Sequence, residues 1–455
     1  MIESNPPSLR HRVRLWFVAL APWFVGAVAW LVAGAAFGSW GTATAAAFDP
    51  EAATRAYLDT VSVEDKLRSD AYFEGGYWIQ LWSFLLGAAL HIGLLRYRIS
   101  ARMRDIAERV TRFWPVHVIV YFLIYLLITT IVLFPWSIYT GFFREHAYDL
   151  ANQGFGEWFG ERMKGLVLGA VLGGIAVVLA YLMFRKAARA WWAWSTGIAV
   201  VFLSIMMMLG PVFIQPIFND YEAIGEGPVK SAVLRMAHAN GIVATDVYMS
   251  DASRQSKRIS ANVSGFLGTE RITLNDNLLE RCSQGEIEAV MGHEIGHYVL
   301  NHMHEGLVFM AVMMLSMFAF VGIGFRHVLR RFGKTWGVEG IADPAGLPLL
   351  VFLFSVIGFL LTPVTNSYVR MNEAEAEADA FGLNAARQPD GFATVALKLG
   401  EYRKLEPGPL EEFILFDHPS GRERILMGMR FKAVMLEMGE KIGPRSAEGA
   451  QSAEP

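Results

Sequence analysis

The sequence is poor in cysteine and carries little net charge, and both features exclude classes of protein. Cys282 is the only cysteine of the chain, so neither an intrachain disulfide framework nor a cysteine-ligated zinc site can form. The formal net charge is −3. This value argues against nucleic acid as a partner, because proteins that bind nucleic acid present a basic surface.

Charged residues of either sign are also scarce, at 18% of the chain, whereas 53% of the residues are hydrophobic. With a mean hydropathy of +0.33, the composition predicts a mainly α-helical, polytopic membrane protein. About seven stretches are long enough to cross a bilayer. They cover residues 16–37, 77–95, 116–136, 165–184, 191–211, 307–325 and 347–365. The first is too long for a cleavable signal core, so we interpret it as a retained anchor.

One motif stands out in the polar segment between the fifth and sixth spans. His293, Glu294 and His297 form an H-E-x-x-H sequence. Two histidines four positions apart leave a helix on the same face, and neutral imidazoles at this spacing bind Zn²⁺. Glu294 would lie beside the metal and act as general base toward water. The alternative is a solvated helix face that is rich in His and Glu.

The residues around the motif predict a packed helix. Ser283 and Glu286 form an S-x-x-E capping box at its start, a typical helix N-terminus. Gly292 and Gly296 lie beside the histidines, although each glycine costs about 1 kcal/mol in a helix relative to alanine. We therefore expect another backbone to approach this helix closely, which favours a buried site.

A catalytic zinc ion has three protein ligands and one open position, so a third ligand is required. The next acidic cluster, N-E-A-E-A-E-A-D-A, follows the last predicted span. Within it Glu373 and Glu377 share one helix face, and Glu375 and Asp379 share another. The alternating alanines allow this helix to pack tightly against another. Spacing alone does not decide which pair of carboxylates faces the metal.

A small sheet is predicted beside the motif helix. Residues 243–250 have the composition of a short strand, and residues 258–263 and 271–275 flank a glycine-containing turn at 265–268, which predicts a β-hairpin. The edge strand of such a sheet can bind an extended peptide through main-chain hydrogen bonds.

Three motifs in succession, H-E-I-G-H, E-A-E-A-D-A-F and D-H-P-S-G-R-E-R-I, resemble the integral-membrane type I CaaX prenyl endopeptidases, which are gluzincin zinc proteases with seven spans. The resemblance covers residues 216–427 at the level of motifs and the first five spans by architecture. The family pattern E-x-x-A-D ends on Asp379 and begins on Glu375. The resemblance therefore implies Glu375 as third zinc ligand and Asp379 as the carboxylate that orients a ligand histidine.

The last motif and the edge strand carry further implications of the resemblance. His418 would donate a hydrogen bond to the oxyanion of the tetrahedral intermediate, and Arg424 would pair with Asp379 or another buried carboxylate. Two positions depart from the family. Asp417 stands where the family often has a small residue, and the edge strand reads S-A-N instead of N-A-Y. Asn262 would therefore contact the substrate backbone in a shifted register.

Three further histidines are not expected to bind the metal. His302 matches a family position and His304 follows it closely, but neither is expected to be a zinc ligand. His91 lies near the end of the second predicted span, where a satisfied polar contact or snorkelling toward the interface is expected.

The predicted spans divide the chain into five segments. Residues 1–215 form an N-terminal membrane domain with five spans, residues 216–306 a catalytic segment with the H-E-x-x-H helix, and residues 307–366 two further spans. Residues 367–440 complete the catalytic part. Residues 441–455 are poor in apolar residues and are predicted to be disordered.

Two arguments about orientation conflict. The N-terminus and the second, fourth and sixth loops hold 16 Lys and Arg residues, whereas the first and third loops hold 6. By the positive-inside rule the N-terminus is cytoplasmic, and seven spans then place the catalytic segment outside. The eukaryotic members of the resembled family are understood to present their site to the cytosol.

These features predict a membrane-embedded zinc endopeptidase whose partners are the lipid bilayer and a peptide or protein substrate. The resemblance implies cleavage of a lipidated or membrane-anchored protein near its C-terminus. The Ala-, Arg- and Gly-rich composition indicates a bacterial inner membrane, where processing or quality control of membrane proteins is the expected role. The alternatives are an HtpX-type heat-shock membrane protease, which has fewer spans, and a non-catalytic scaffold or transporter with a structural metal.

Overall fold

The structure, a computed structural model, describes residues 48–264, 271–371 and 374–440. Four features of the sequence analysis lie outside the described residues. They are the first predicted span at 16–37, the turn at 265–268, Glu373 and the tail at 441–455.

Long apolar helices dominate the described chain, as the composition predicts. Six of them are long and apolar enough to cross a membrane, among the residues that the structure describes. These six contain the second to seventh predicted spans. The helices of the first half are α1 (Pro50–Leu58), α2 (Val63–Arg96), α3 (Ile99–Val110), α4 (Trp114–Ile138), α5 (Arg144–Ala147), α6 (Phe155–Lys186) and α7 (Trp191–Leu209).

The second half of the chain contains shorter helices and two long ones. The long helices are α11 (His302–Trp336) and α12 (Leu347–Met371). The shorter ones are α8 (Pro228–Ala239), α9 (Asp276–Arg281), α10 (Gln284–Val299), α13 (Ala374–Ala386), α14 (Pro389–Leu399), α15 (Pro409–Leu415) and α16 (Gly421–Glu437). The helix α10 carries the H-E-x-x-H motif, and α13 carries the acidic cluster.

The loops at one end of the bundle are held together by polar contacts to α3. The hydroxyl of Ser100 donates a hydrogen bond to the carbonyl of Ala345 over 2.7 Å. The guanidinium of Arg104 donates to the carbonyl of Gly337 over 3.1 Å and to the carboxylate of Asp343 over 2.8 Å. We call this end, where α2, α3, α6 and α11 end and α4, α7 and α12 begin, the cation-rich end.

A four-stranded sheet lies in the catalytic part. Its strands are β1 (Tyr221–Ala223), β2 (Val247–Ser250), β3 (Ala261–Ser264) and β4 (Arg271–Asn275), in the order β1-β2-β4-β3. The strands β3 and β4 are antiparallel, as the predicted hairpin requires, and β2 pairs with β4 in parallel. The strand β3 is therefore an edge strand.

Two strands begin later than the sequence predicts, because side chains occupy the backbone groups before them. The carboxylate of Asp246 accepts a hydrogen bond from the amide of Val247 and forms an ion pair with Lys230. These contacts hold the end of the loop that precedes β2. The side chain of Asn275 accepts from the amide of Ser260 and donates to the carbonyl of Arg258. The side-chain amide of Asn275 thus replaces the backbone hydrogen bonds that a strand beginning at residue 258 would form.

The helices α10 and α13 make the most extensive contact between any two described elements. A Cβ atom added to Gly292 would lie 2.9 Å from the carbonyl oxygen of Gly382, and one added to Gly296 would lie 3.1 Å from the Cα atom of Ala378. The glycines thus allow backbone to meet backbone. This close approach, which the sequence predicts, brings the acidic cluster to the histidines.

Candidate active site

The capping box orients the helix that carries the two histidines. The amide of Ser283 donates to the carboxylate of Glu286 over 2.6 Å, and the Ser283 hydroxyl accepts from the amide of Glu286 over 3.5 Å. About two turns after Glu286, the Nε2 atoms of His293 and His297 lie 3.0 Å apart. Both imidazoles therefore present the same ring nitrogen to one point.

Glu375 of α13 completes a group of three candidate ligands. Its two carboxylate oxygens lie 3.5 Å from the Nε2 atoms of His293 and His297. Zinc-to-nitrogen bonds of 2.0–2.1 Å in tetrahedral geometry separate two ligand atoms by about 3.3 Å. The observed separations of 3.0–3.5 Å fit such an ion, and this is the group of metal-ligand type found among the described residues.

The second nitrogen of His293 is held by a buried ion pair. Its Nδ1 lies 2.7 Å from the carboxylate of Asp379, which is fully buried. Arg424 donates to both oxygens of the same carboxylate over 2.9 and 2.5 Å. Burial lowers the pKa of His293. The hydrogen bond to Asp379 and the negative charge of that carboxylate together raise it by more, so the net shift of the pKa is upward. Asp379 thereby fixes the tautomer that directs Nε2 toward Glu375.

The second nitrogen of His297 has a partner that the sequence analysis did not identify. Its Nδ1 lies 3.0 Å from Nδ1 of His302, whose Nε2 lies 3.4 Å from the carboxylate of Glu377. Helical periodicity does not predict this contact, because α10 ends before Asn301, which adopts a left-handed conformation with φ of 60°. Burial and then the charges of the adjacent imidazoles lower the pKa of His297 to about 3, so this imidazole is neutral, as a metal ligand must be.

Glu294 lines the cleft beside the two histidines. Burial raises the pKa of its carboxyl group to about 7, and the negative charge of Glu375 contributes in the same direction against the effect of His293. A divalent cation at the adjacent ligands would lower this pKa again. The carboxyl group thus lies in surroundings in which it can both accept and release a proton near neutral pH.

His418 approaches the same point from the loop before α16. Its Nε2 lies 3.4 Å from a carboxylate oxygen of Glu375, and its Nδ1 lies 2.8 Å from the carboxylate of Asp417. The hydrogen bond with His418 lowers the pKa of Asp417. Asp417, the departure from the family pattern, therefore holds Nδ1 of His418 and directs its Nε2 toward Glu375.

The edge strand forms one wall of the cleft, but Asn262 does not line it. Ser260 and Ala261 line a volume of about 170 Å³ together with Glu294, His418 and other residues. Asn262, the next residue of β3, is not among the residues that line this volume. Its Oδ1 atom is buried and has no hydrogen-bond partner among the described residues.

Two other side chains of the cleft were not predicted. Tyr402 and Arg403 line it from the segment that follows α14. Burial raises the pKa of Tyr402 to about 12. No sequence motif marks these two residues, because they lie in an irregular segment that only the packing of α14 and α16 brings to the site.

The remaining histidine of the sequence analysis has a structural role. The Nε2 atom of His91 lies 2.7 Å from the hydroxyl of Tyr125, and its Nδ1 lies 2.6 Å from the carbonyl of Gly87. Both nitrogens are satisfied inside the membrane bundle, in agreement with the expected polar contact.

Comparison with known proteins assigns the fold and the site to a family. Residues 224–427 match the family Peptidase family M48. Residues 51–220 match the family described as CAAX prenyl protease N-terminal, five membrane helices. The chain belongs to peptidase family M48. It is a membrane-embedded metalloprotease of the CAAX prenyl protease type. The group of His293, His297 and Glu375 fits the metal site that such a family implies.

Relatives of this M48 peptidase cover most of its length. The Uncharacterized metalloprotease YhfN of Bacillus subtilis is 27% identical over 332 residues, which are 73% of this chain and 78% of the relative. CAAX prenyl protease 1 of Saccharomyces cerevisiae is 26% identical over 315 residues, 66% of this chain and 69% of the relative. The crystal structure of S. mikatae Ste24p is similar in fold, with a TM-score of 0.69, 20% identity, and coverage of 84% of this chain and 95% of that chain.

Proposed function

We propose that this M48 peptidase is a zinc endopeptidase in which His293, His297 and Glu375 hold one Zn²⁺ and Glu294 acts as general base. The observation that carries the proposal is the meeting of three ligand side chains in a cleft that Glu294 also lines: the two Nε2 atoms lie 3.0 Å apart, and each lies 3.5 Å from one carboxylate oxygen of Glu375. The presence of three candidate metal ligands together with a candidate general base disfavours a non-catalytic scaffold, because a structural metal site would not need Glu294.

The chain's own residues account for each proton transfer. Zn²⁺ at this site would supply Lewis-acid polarisation of the scissile carbonyl and acidify the attacking water. Glu294 takes the proton of the water and later gives it to the leaving amine. His418, oriented by its contact with Asp417, donates a hydrogen bond to the oxyanion. Arg424 and Asp379 act as positioning residues through His293.

The proposed substrate is a lipidated or membrane-anchored protein cleaved near its C-terminus. Two observations support it: the relatives include CAAX prenyl proteases, and the catalytic helices adjoin the membrane spans. An extended peptide would add to the free edge of β3, with Asn262 of that strand contacting the substrate backbone. Processing or quality control of other membrane proteins is the second candidate, which the bacterial relative favours. An HtpX-type protease is disfavoured by the match to a five-helix N-terminal family.

The test of the mechanism compares Glu294→Gln with Glu280→Gln, an exposed glutamate of α9. Both purified variants are assayed for zinc content and for cleavage of one C-terminal CaaX peptide with and without a farnesyl group. We expect Glu294→Gln to retain one zinc per chain and to lose about 10²–10⁴-fold in turnover. Undiminished cleavage by Glu294→Gln would refute the role of Glu294, and equal cleavage of both peptides would refute the lipidated substrate.

We further propose that the enzyme lies in a bacterial inner membrane with its catalytic end outside the cytoplasm. The support is the concentration of loop arginines and lysines at the opposite end of the spans. Reporter fusions after Lys230 and at Arg330 test the orientation, because these positions lie on the catalytic part and near the cation-rich end of α11. A cytoplasmic signal after Lys230 would refute this orientation and would agree with that of the eukaryotic proteases.

A further inference from the structure

The end of α11 changes from an apolar to a cationic surface along a single face. Ile323 is 58% exposed, and Arg326, Arg330 and Lys334 follow at intervals of three, four and four residues, all of them exposed. These intervals keep the four side chains on one side of the helix. Toward the middle of the same helix, Val312 is 57% exposed. The face therefore has the polarity profile of a lipid, apolar along its length and charged at its end.

The cations of α11 share a cavity with those of the neighbouring loop. It has a volume of about 930 Å³ and lies between the end of α11 and the start of α3. Six basic side chains line it, and Glu339 is the acidic residue in its wall. The basic residues are Arg98, Arg104, Arg326, Arg330, Arg331 and Lys334.

Most of these cations have no acidic partner. Arg104 is paired with Asp105 and Asp343 over 2.8 Å. The other five basic side chains make no ion pair within 4.0 Å with any carboxylate of the described residues. Like charges that converge without a counter-charge are unfavourable unless an anion is supplied from outside. The cavity is therefore a site that favours an anion.

A second cavity at the same end provides a contrast. It lies next to the first and shares Arg104 and Glu339 with it. Four arginines line it, and four carboxylates balance them. The arginines are Arg104, Arg109, Arg112 and Arg185, and the carboxylates are those of Asp105, Glu108, Glu339 and Asp343. Basic residues are thus common at both cavities, as the positive-inside rule leads one to expect for loops at one end of the spans. Only the cavity at the end of α11 has an excess of positive charge over negative charge.

We propose that the cavity at the end of α11 binds the phosphodiester headgroup of an anionic membrane lipid. Arg326, Arg330 and Lys334 contact the phosphate oxygens, because guanidinium and ammonium groups are the donors that match phosphate. One acyl chain lies along the exposed apolar face that includes Ile323 and Val312. Basic pockets between membrane helices are known to suit such headgroups.

The position in the membrane favours a lipid over a soluble phosphate compound. The cations lie within the last three turns of a membrane-spanning helix, and Trp336 follows them at its end, as aromatic residues at the bilayer interface do. The exposed apolar face continues directly from the cations. A soluble phosphate would leave this face without a ligand group, whereas a lipid contacts both parts.

The test uses the purified full-length chain and two lipids with identical acyl chains, phosphatidylglycerol and phosphatidylcholine. Native mass spectrometry gives the dissociation constant of each lipid. The first variant combines Arg326→Gln, Arg330→Gln and Lys334→Gln. Its matched control, with Arg109→Gln, Arg112→Gln and Arg185→Gln, removes the same three charges from the balanced cavity at the same end.

We expect the wild-type chain and the control variant to prefer phosphatidylglycerol. The α11 variant should lose that preference, at about fivefold in affinity for each cation removed. Equal loss in both triple variants would overturn the proposal in favour of diffuse electrostatic attraction, and absence of any preference in the wild-type chain would overturn it outright. Displacement of the lipid by inorganic phosphate, compared with chloride at equal ionic strength, would overturn the lipid as ligand.

A second measurement covers the case in which the α11 variant does not fold. A phosphatidylglycerol with a photoactivatable headgroup is crosslinked to the wild-type chain, and the labelled peptides are identified. Labelling concentrated in residues 326–336 supports the proposed site. Labelling spread evenly over all loops of the cation-rich end contradicts it.

Discussion

The catalytic site and the cavity at the end of α11 lie at opposite ends of this peptidase and differ in how their charges are paired. At the catalytic end His293, Asp379 and Arg424 form a chain of short contacts around a carboxylate that is fully buried. At the cation-rich end Arg330 and Lys334 are exposed and have no carboxylate within 4.0 Å among the described residues. Buried charge must be paired because desolvation costs several kcal/mol per ion. Exposed charge is tolerated unpaired, because water, salt and lipid headgroups screen it.

The difference shows how each end gains specificity. The catalytic end depends on geometry. His293 is oriented by Asp379, which Arg424 holds, and His297 is oriented by His302, which contacts Glu377. Anion binding in the cavity at the end of α11 depends on the sum of its exposed positive charges, so no single one of these cations is decisive. Substitutions should therefore have large and individual effects at the first end and small and additive effects at the second.

The largest effect is expected from removal of the carboxylate of Glu375. In Glu375→Ala two imidazoles remain, and the proposed zinc site loses one of its three protein ligands. We expect bound zinc to fall well below one per chain and turnover to fall by about 1000-fold or more, as loss of several kcal/mol of transition-state stabilisation implies. Elemental analysis and a peptide assay measure both quantities. Glu280→Ala, a change of an exposed glutamate, should retain zinc, and retention by Glu375→Ala would refute this ligand.

A direct test of the comparison makes one substitution at each end. Arg424→Gln leaves the carboxylate of Asp379 buried without its bidentate partner, which should destabilise the fold by about 3–5 kcal/mol. Arg109→Gln removes an exposed arginine of α3 and should change stability by less than about 0.5 kcal/mol. Thermal unfolding in the same detergent measures the two changes. Similar midpoints for both variants would show that burial of Asp379 does not distinguish the ends.

Much of the catalytic end could be predicted from the sequence because its information is local. The spacing of His293 and His297 on a helix, the capping box at Ser283 and the glycines of α10 are short-range patterns with a direct physical meaning. The second to seventh spans could be predicted equally well, because each is a continuous apolar run. The choice of Glu375 instead of Glu377 was different, since helix geometry left both faces of α13 open and only the family resemblance favoured one.

Contacts between distant segments could not be predicted in the same way. The partner of His297 lies beyond the end of α10, where Asn301 interrupts the helix with a positive φ. Tyr402 and Arg403 reach the cleft through tertiary packing alone. The role of Asn262 stays a prediction, since this residue follows Ala261 on the edge strand but is not among those that line the cleft. These features depend on how elements pack, which no local pattern encodes.

A smaller effect is expected where the two catalytic helices cross. In Gly292→Ala the new methyl group would lie 2.9 Å from a backbone oxygen and 3.0 Å from the Cα atom of Gly382, so α13 must move away. We expect a loss of about 1–3 kcal/mol from overpacking, which the gain of about 1 kcal/mol in helix propensity offsets only in part. Unfolding midpoints and zinc affinity should fall together. Gly306→Ala in α11, where the added Cβ meets open space, serves as control, and equal stability of both variants would contradict the close approach.

The smallest of these effects should come from His302, whose contact links the buried site to a more exposed carboxylate. His302→Phe removes the acceptor for Nδ1 of His297, so this ligand loses the hydrogen bond that fixes its tautomer. Such partners contribute about 10–100-fold to metal affinity, and we expect the lower value because the side chain of Glu377 is 46% exposed and water can replace it. Competition with a zinc chelator measures the affinity. His302→Gln restores an acceptor and should recover part of the loss, whereas a variant with full affinity would show that His297 is oriented by packing alone. A loss of about 100-fold, the upper value for such partners, would mean instead that the exposure of Glu377 does not weaken the contact, and that the pairing of a ligand histidine matters more than the burial of its partners.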